Sequence, residues 1–135
     1  VKYRRQAPLA LALLLSYAPP AWSEAPAALH ADAQVEIHYL LDFVEISGCE
    51  FYRNGTWYDS EQARGHLRTK YENLSARNRI HSAEDFILLA ASKSSMSGKP
   101  YEIRCGDCAT SATGNWLTGV LMRYRTVGAR GQVPE

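Results

Sequence analysis

The chain has 135 residues, of which 46% are hydrophobic, 10% aromatic and 21% charged, the profile of one folded domain and not of a disordered, collagen-like or multi-domain chain. Fifteen Lys and Arg against fourteen Asp and Glu give a formal charge of +1, which leaves no electrostatic footprint for nucleic acid or an anionic membrane surface. Three cysteines are too few for a disulfide-dense miniprotein.

Residues 1–23 read as a secretory signal peptide. Lys2, Arg4 and Arg5 form a basic start, Ala7 to Ala18 an apolar run, and Ala21-Trp22-Ser23 puts small residues three and one before a cleavage point. The run falls short of the roughly 18 residues that span a bilayer, and Pro19-Pro20 closes it. No integral membrane segment is therefore expected after cleavage, and the expected location is the periplasm or the cell exterior. The leader holds three basic residues and no acidic one, so the 112 residues that follow carry 12 basic against 14 acidic side chains, a net charge of −2. Residues 24–31 are expected to be a flexible lead-in, 32–126 a single globular domain, and 127–135, with Gly128, Gly131 and Pro134, a flexible tail.

Asp32 is the expected N-cap of a first helix reaching about Ser47. Val35, Leu40, Leu41 and Val44, joined by Ile37 and Phe43, form its apolar stripe, and Gly48 suits the left-handed C-cap. In the segment Cys49 to Tyr58, Asn54-Gly55 predicts a two-residue hairpin turn that pairs Arg53 with Thr56, Tyr52 with Trp57 and Phe51 with Tyr58. Asp59 and Gln62 stand at capping-box spacing and open a second helix over about Ser60 to Asn78, with Ala63, Leu67, Tyr71 and Leu74 facing inward. Ser82, with Asp85 three residues on, opens a third helix from Ala83 to about Ser92, buried through Phe86, Ile87, Leu89 and Ala90. A loop from Ser92 to Pro100 leads to a strand over Tyr101 to Cys105, and Gly106 to Gly114 is a second loop. Thr113 is the expected cap of a last helix carrying Trp116, Leu117, Val120, Leu121 and Tyr124. The predicted class is α+β, about four helices packed on a small antiparallel sheet made of the hairpin plus one strand.

Several strings in this order have a family look. Tyr39-Leu40-Leu41-Asp42-Phe43-Val44-Glu45, Ser47-Gly48-Cys49, Phe51-x-Arg53-Asn54-Gly55, His66-Leu67-Arg68-x-Lys70-Tyr71, Ala83-Glu84-Asp85-Phe86-Ile87 and Ser92 to Tyr101 resemble the exported bacterial proteins grouped as domain of unknown function 5329. The resemblance covers about residues 33–125 and departs from the family pattern at Cys108 and over Ala109 to Asn115. It implies an exported chain and assigns no activity.

Cys49 and Cys105 close the ends of two strands that can be neighbours, so a structural disulfide between them is the favoured pairing, with Cys108 as a spare thiol. The competing arrangement is a Cys105-Gly106-Asp107-Cys108 redox pair, although such pairs favour a helix N-terminus and this one runs into a Gly, Ser and Thr loop. His30, His38, His66 and His81 show no His-x-x-x-His or His-Glu-x-x-His spacing, and neither a metal nor another cofactor is expected. His30, His38 and His81 read as surface or helix-edge residues. His66 is different, because with Lys70 four residues on it borders the apolar face of the second helix.

A candidate binding site follows. Arg53 at the hairpin turn, His66 and Lys70 on the helix, and the segment Ser94, Ser95, Ser97, Gly98, Lys99 and Tyr101 supply cations, hydroxyls and turn amides suited to a phosphate, sulfate or carboxylate. The loop is no phosphate-binding Walker motif, since the first Gly is missing and Pro100 stands where a Ser or Thr belongs. No catalytic residue is assigned: Gly-x-Ser-x-Gly is absent, and nothing in the spacing sets Ser95 or Ser97 beside His66 and Glu84. Ser97-Gly98-x-x-Tyr101 is similar to a loop that some periplasmic lysozyme inhibitors insert into their target, but those are β-barrels. The expected role is a non-catalytic binding module for a small anionic ligand or a periplasmic protein. The alternatives are a small periplasmic hydrolase, a thiol-redox enzyme using Cys105 and Cys108, or a lysozyme-inhibitor-like protein.

Overall fold

The computed structural model describes residues 26–130, so the expected signal peptide lies outside the described residues. Helix α1 spans Pro26–Ile46. Pro26 suits a first helical turn, where a missing N–H costs nothing, and Ala27, Ala28 and Leu29 are strong helix formers. The segment expected as a flexible lead-in is therefore helical from Pro26, and Asp32 lies exposed inside the helix and does not cap it. Ile37, Leu40, Leu41 and Val44 are buried, whereas Val35, expected on the same stripe, is 57% exposed. Gly48, at φ +62°, turns the chain out of the helix.

Strands β1 (Glu50–Arg53) and β2 (Thr56–Tyr58) form the expected hairpin in the expected register, Phe51 opposite Tyr58, Tyr52 opposite Trp57 and Arg53 opposite Thr56. Asn54 and Gly55 both take positive φ, 49° and 95°, as a type I′ turn requires. Helix α2 (Ser60–Ala76) opens on the capping box: Gln62 N donates to Asp59 Oδ1 at 2.8 Å, and Asp59 N donates to Gln62 Oε1 at 3.3 Å.

Helix α3 begins with one α turn, Ala83–Asp85, capped by Ser82, whose Oγ accepts from Asp85 N at 3.0 Å. It continues as a π-helix over Phe86–Ala91, where a regular α-helix was expected. The wider turn lets two adjacent pairs, Phe86-Ile87 and Ala90-Ala91, bury together, and the Ser92 hydroxyl donates to Ile87 O at 2.7 Å to close its end. Strand β3 (Glu102–Arg104) pairs antiparallel with β1.

The sheet has one strand more than the sequence suggested. Within the expected loop 106–114, β4 (Ser111–Ala112) pairs with β3, and the order is β2-β1-β3-β4. Two residues carry no alternation to read; the strand exists because the turn after Cys105, closed by Cys108 N donating to Cys105 O at 3.1 Å, sends the chain back along β3. Helix α4 (Thr113–Arg130) then runs through Val127, the first residue of the expected tail. Thr113 is not its cap: the residue is 1% exposed and its Oγ1 has no partner among the described residues.

The core lies between the inner face of the sheet and the helices, with Phe51 and Ile103 packed among Leu40, Phe86, Leu117 and Val120. Cys49 and Cys105 form the favoured disulfide, with their Cα atoms 4.4 Å apart, and Cys108 is an exposed thiol. At the far side Arg125 Nε donates to Glu36 Oε1 at 2.6 Å and Nη1 to Glu84 Oε1 at 2.5 Å, tying α4 to α1 and α3. No helix among the described residues is long and apolar enough to cross a membrane.

Candidate functional site

The sheet registers build one row of the site. Phe51 lies opposite Ile103 and Ile103 opposite Ser111. Because side chains repeat every second residue on one face of a strand, the next row on that face is Arg53, Tyr101 and Thr113. The Thr113 N–H donates to Tyr101 O at 3.0 Å and holds that row together. Helix α2 covers the row with Ala63, His66 and Leu67, which its periodicity sets on a single side.

Between them lies a cavity of ≈ 150 Å³. Phe51, Tyr52 and Tyr58 form its aromatic wall, Ala63 and Leu67 its helical wall, and Arg53, His66, Tyr101 and Thr113 its polar part. Gln62 is exposed, and Tyr52 and Tyr58 are half-buried, so these three lining residues mark its mouth.

The polar part is a chain of donors. Arg53 Nη1 lies 3.3 Å from His66 Nδ1, and His66 Nε2 lies 3.1 Å from the Tyr101 hydroxyl. A guanidinium can only donate, so Nδ1 accepts and the hydrogen of the neutral ring sits on Nε2, which donates to Tyr101. Lys70 Nζ donates to Lys93 O at 2.8 Å and to the Tyr101 oxygen at 3.4 Å, and stands 5.0 Å from the centre of the Tyr101 ring. Tyr101 thus accepts twice, and no acceptor for its own proton exists among the described residues. Neither Arg53 nor Lys70 has a carboxylate partner among them.

Electrostatics follow from that imbalance. Burial, then the charges of Arg53 and Lys70, push the His66 pKa from 6.5 down to about 4, which keeps the ring neutral at pH 7. Burial and Arg53 push Lys70 down to about 8. Burial raises Tyr101 above its ordinary value, and the positive charge of Arg53 opposes the rise. On two residues that line the cavity, one atom each, Arg53 Nε and Thr113 Oγ1, is buried with nothing to bond among the described residues. An orphaned buried polar atom costs about 1–3 kcal/mol, more when charged.

The family is legible at this point. A model described as a family of unknown function (DUF5329) matches residues 31–125. The chain belongs to that family. The uncharacterised protein YfeK of Salmonella typhimurium (strain LT2) is 40% identical over 92 residues, 67% of this chain and 70% of the relative. No solved structure matches this DUF5329 chain.

The structure splits the residues that the sequence grouped. Arg53, His66 and Tyr101 converge on the cavity, and Lys70 reaches the Tyr101 oxygen from outside its lining. The 94–99 loop forms a separate unit whose Ser94 and Ser97 hydroxyls are spent on Asn54 and on the loop's own amides: buried Ser94 Oγ accepts from Asn54 Nδ2 at 3.1 Å and from Met96 N and Ser97 N, both at 3.3 Å. Ser97 Oγ donates to Asn54 Oδ1 at 2.6 Å and accepts from Lys99 N at 3.3 Å. Gly98, at φ +69°, lets its N–H reach Ser94 O at 2.9 Å. Ser95 and Lys99 are exposed and do not line the cavity.

Two of the other sequence readings meet structural obstacles. Tyr101 is 5% exposed, so Ser97-Gly98-x-x-Tyr101 does not present its tyrosine as a protruding loop. Cys105 is bonded to Cys49 and not to Cys108, and the turn between Cys105 and Cys108 precedes a strand, not a helix. Among the described residues no cluster of three His, Cys, Asp or Glu side chains could hold a metal ion. Sequence reasoning missed Thr113, Phe51, Tyr52 and Tyr58 as cavity-lining residues; continuing the hairpin register would have set Phe51 and Tyr58 on the face of Arg53, but the register puts Tyr52 on the opposite face, and Thr113 depends on the unheralded strand β4.

Proposed function

We propose that this chain is an exported, non-catalytic binding protein that holds a small anionic ligand at the polar part of the cavity. The supporting observation is the meeting of two cations, Arg53 and Lys70, with a neutral histidine and a tyrosine proton that lacks an acceptor, and with no carboxylate partner among the described residues. A bound anion accepts what these groups offer and balances the two charges. Export rests on the basic and apolar leader of residues 1–23 and agrees with the Cys49–Cys105 disulfide, a bond suited to an oxidising compartment.

The test is a thermal-shift series of the chain with sodium acetate, sulfate and phosphate at constant ionic strength. At least one anion is expected to raise the melting temperature saturably, and Arg53→Gln is expected to remove that rise. Equal melting temperatures with all three salts would overturn the reading.

A further inference from the structure

We infer that the ligand is a carboxylate carried on an apolar body the size of one six-membered ring, with the ring in the cavity and the carboxylate on Arg53, Tyr101 and Thr113. The inference rests on the anion-binding reading above and narrows it in two ways.

Size comes from the cavity. At ≈ 150 Å³ it matches an apolar protein cavity that takes up one benzene molecule. Its walls are aromatic or aliphatic apart from the single polar part. A sulfate or phosphate alone would leave Phe51, Ala63 and Leu67 facing empty space, and a long acyl chain would not fit.

Head-group chemistry comes from the unpartnered atoms. Thr113 is 1% exposed and lines the cavity, and its hydroxyl has no partner among the described residues; Arg53, also on the lining, has a buried Nε that likewise has none among them. The registers bring both residues and Tyr101 into one row across β1, β3 and β4. One carboxylate offers about four lone-pair sites, enough for Arg53 Nε–H, the Tyr101 proton and the Thr113 hydroxyl together. A carboxylate is also flat, so the ring that carries it can stay against the aromatic wall.

The test is calorimetric titration of the purified chain with four probes: sodium benzoate, sodium acetate, sodium phosphate and benzyl alcohol. Benzoate is expected to bind about ten- to hundredfold more tightly than acetate, the value of burying one ring, and at least about tenfold more tightly than benzyl alcohol, which has the ring without the charge. Thr113→Val keeps the shape, removes an unpartnered hydroxyl and so is expected to fold at least as stably as the natural chain, yet it should weaken benzoate about tenfold. Retained affinity for benzoate in a folded Thr113→Val variant overturns the assignment of Thr113. Benzoate binding no better than acetate or phosphate overturns the ring and leaves the anion reading standing; benzyl alcohol binding as well as benzoate overturns the carboxylate. Binding of none of the three anions overturns the inference and the anion reading together.

Discussion

Reduction of the Cys49–Cys105 bond isolates one contribution to stability. The bond joins residues 56 apart in sequence, and closing a loop of that length lowers the entropy of the unfolded chain by an amount worth about 4 kcal/mol at room temperature. Typical domains are stable by only about 5–15 kcal/mol, so this is a large share. Reduction is preferable to substitution because Cys49 is 5% exposed, and deleting its sulfur would add the cost of a cavity. With the thiols retained, the difference reports chiefly on the unfolded chain. Urea unfolding followed by tryptophan fluorescence, with and without a phosphine reductant, is the assay. For an m-value of about 1–3 kcal/mol per molar the midpoint is expected to fall by roughly 1.5–4 M. The melting temperature should fall by about 15–30 °C, at roughly 4–8 °C per kcal/mol. Cys108→Ser, which removes an exposed thiol, should change neither value. A midpoint shift below about 0.5 M at unchanged m would refute the entropic argument.

Two further outcomes follow from other parts of the fold. The His66 ring, with its pKa at about 4 in the folded chain against 6.5 unfolded, binds its proton less readily when folded, so its contribution is complete above pH 6.5 and is lost as the pH falls through 4. Full effect would be at most ~3.4 kcal/mol, and the half-exposed ring reduces this to roughly 1–2 kcal/mol. His66→Gln should flatten stability between pH 6.5 and 4, and an unchanged slope would contradict the assignment. At the start of α4, a Cβ on Gly114 would collide with Ser92 Oγ, which closes the π-helix by donating to Ile87 O. Gly114→Ala is therefore expected to cost about 1–3 kcal/mol by overpacking, read by denaturant unfolding. Stability equal to the natural chain would show that the two helices have room to separate.

Much of the fold was decided within a few residues of chain and was legible for that reason. The Asn54-Gly55 turn, the Asp59 and Gln62 capping box, the Ser82 cap and the Gly48 exit each rest on one or two local hydrogen bonds or a single positive φ, and each stands where the residues implied. The disulfide was foreseen because two strand ends made it sterically reasonable. Arg53, His66, Lys70 and Tyr101 come into contact because the hairpin turn and the helix period set them on facing sides.

Only the tertiary structure decided the rest. Strand β4 is two residues long and takes its conformation from pairing with β3, so no local pattern announces it; with it came the burial of Thr113, which the sequence offered as a helix cap. The π-helix arises where Phe86, Ile87, Ala90 and Ala91 all enter the core, a demand made by neighbours distant in sequence. Local hydrogen bonds also explain why the serine loop closed on itself and left the cavity to other residues: Asn54 and the loop amides satisfied its hydroxyls. Length, composition and charge by themselves pointed to a folded chain with nearly balanced charge and went no further. Where two cations stand without a carboxylate partner among the described residues, and beside what shape of cavity, depends on side chains from α2 and three strands meeting, and only their packing determines that.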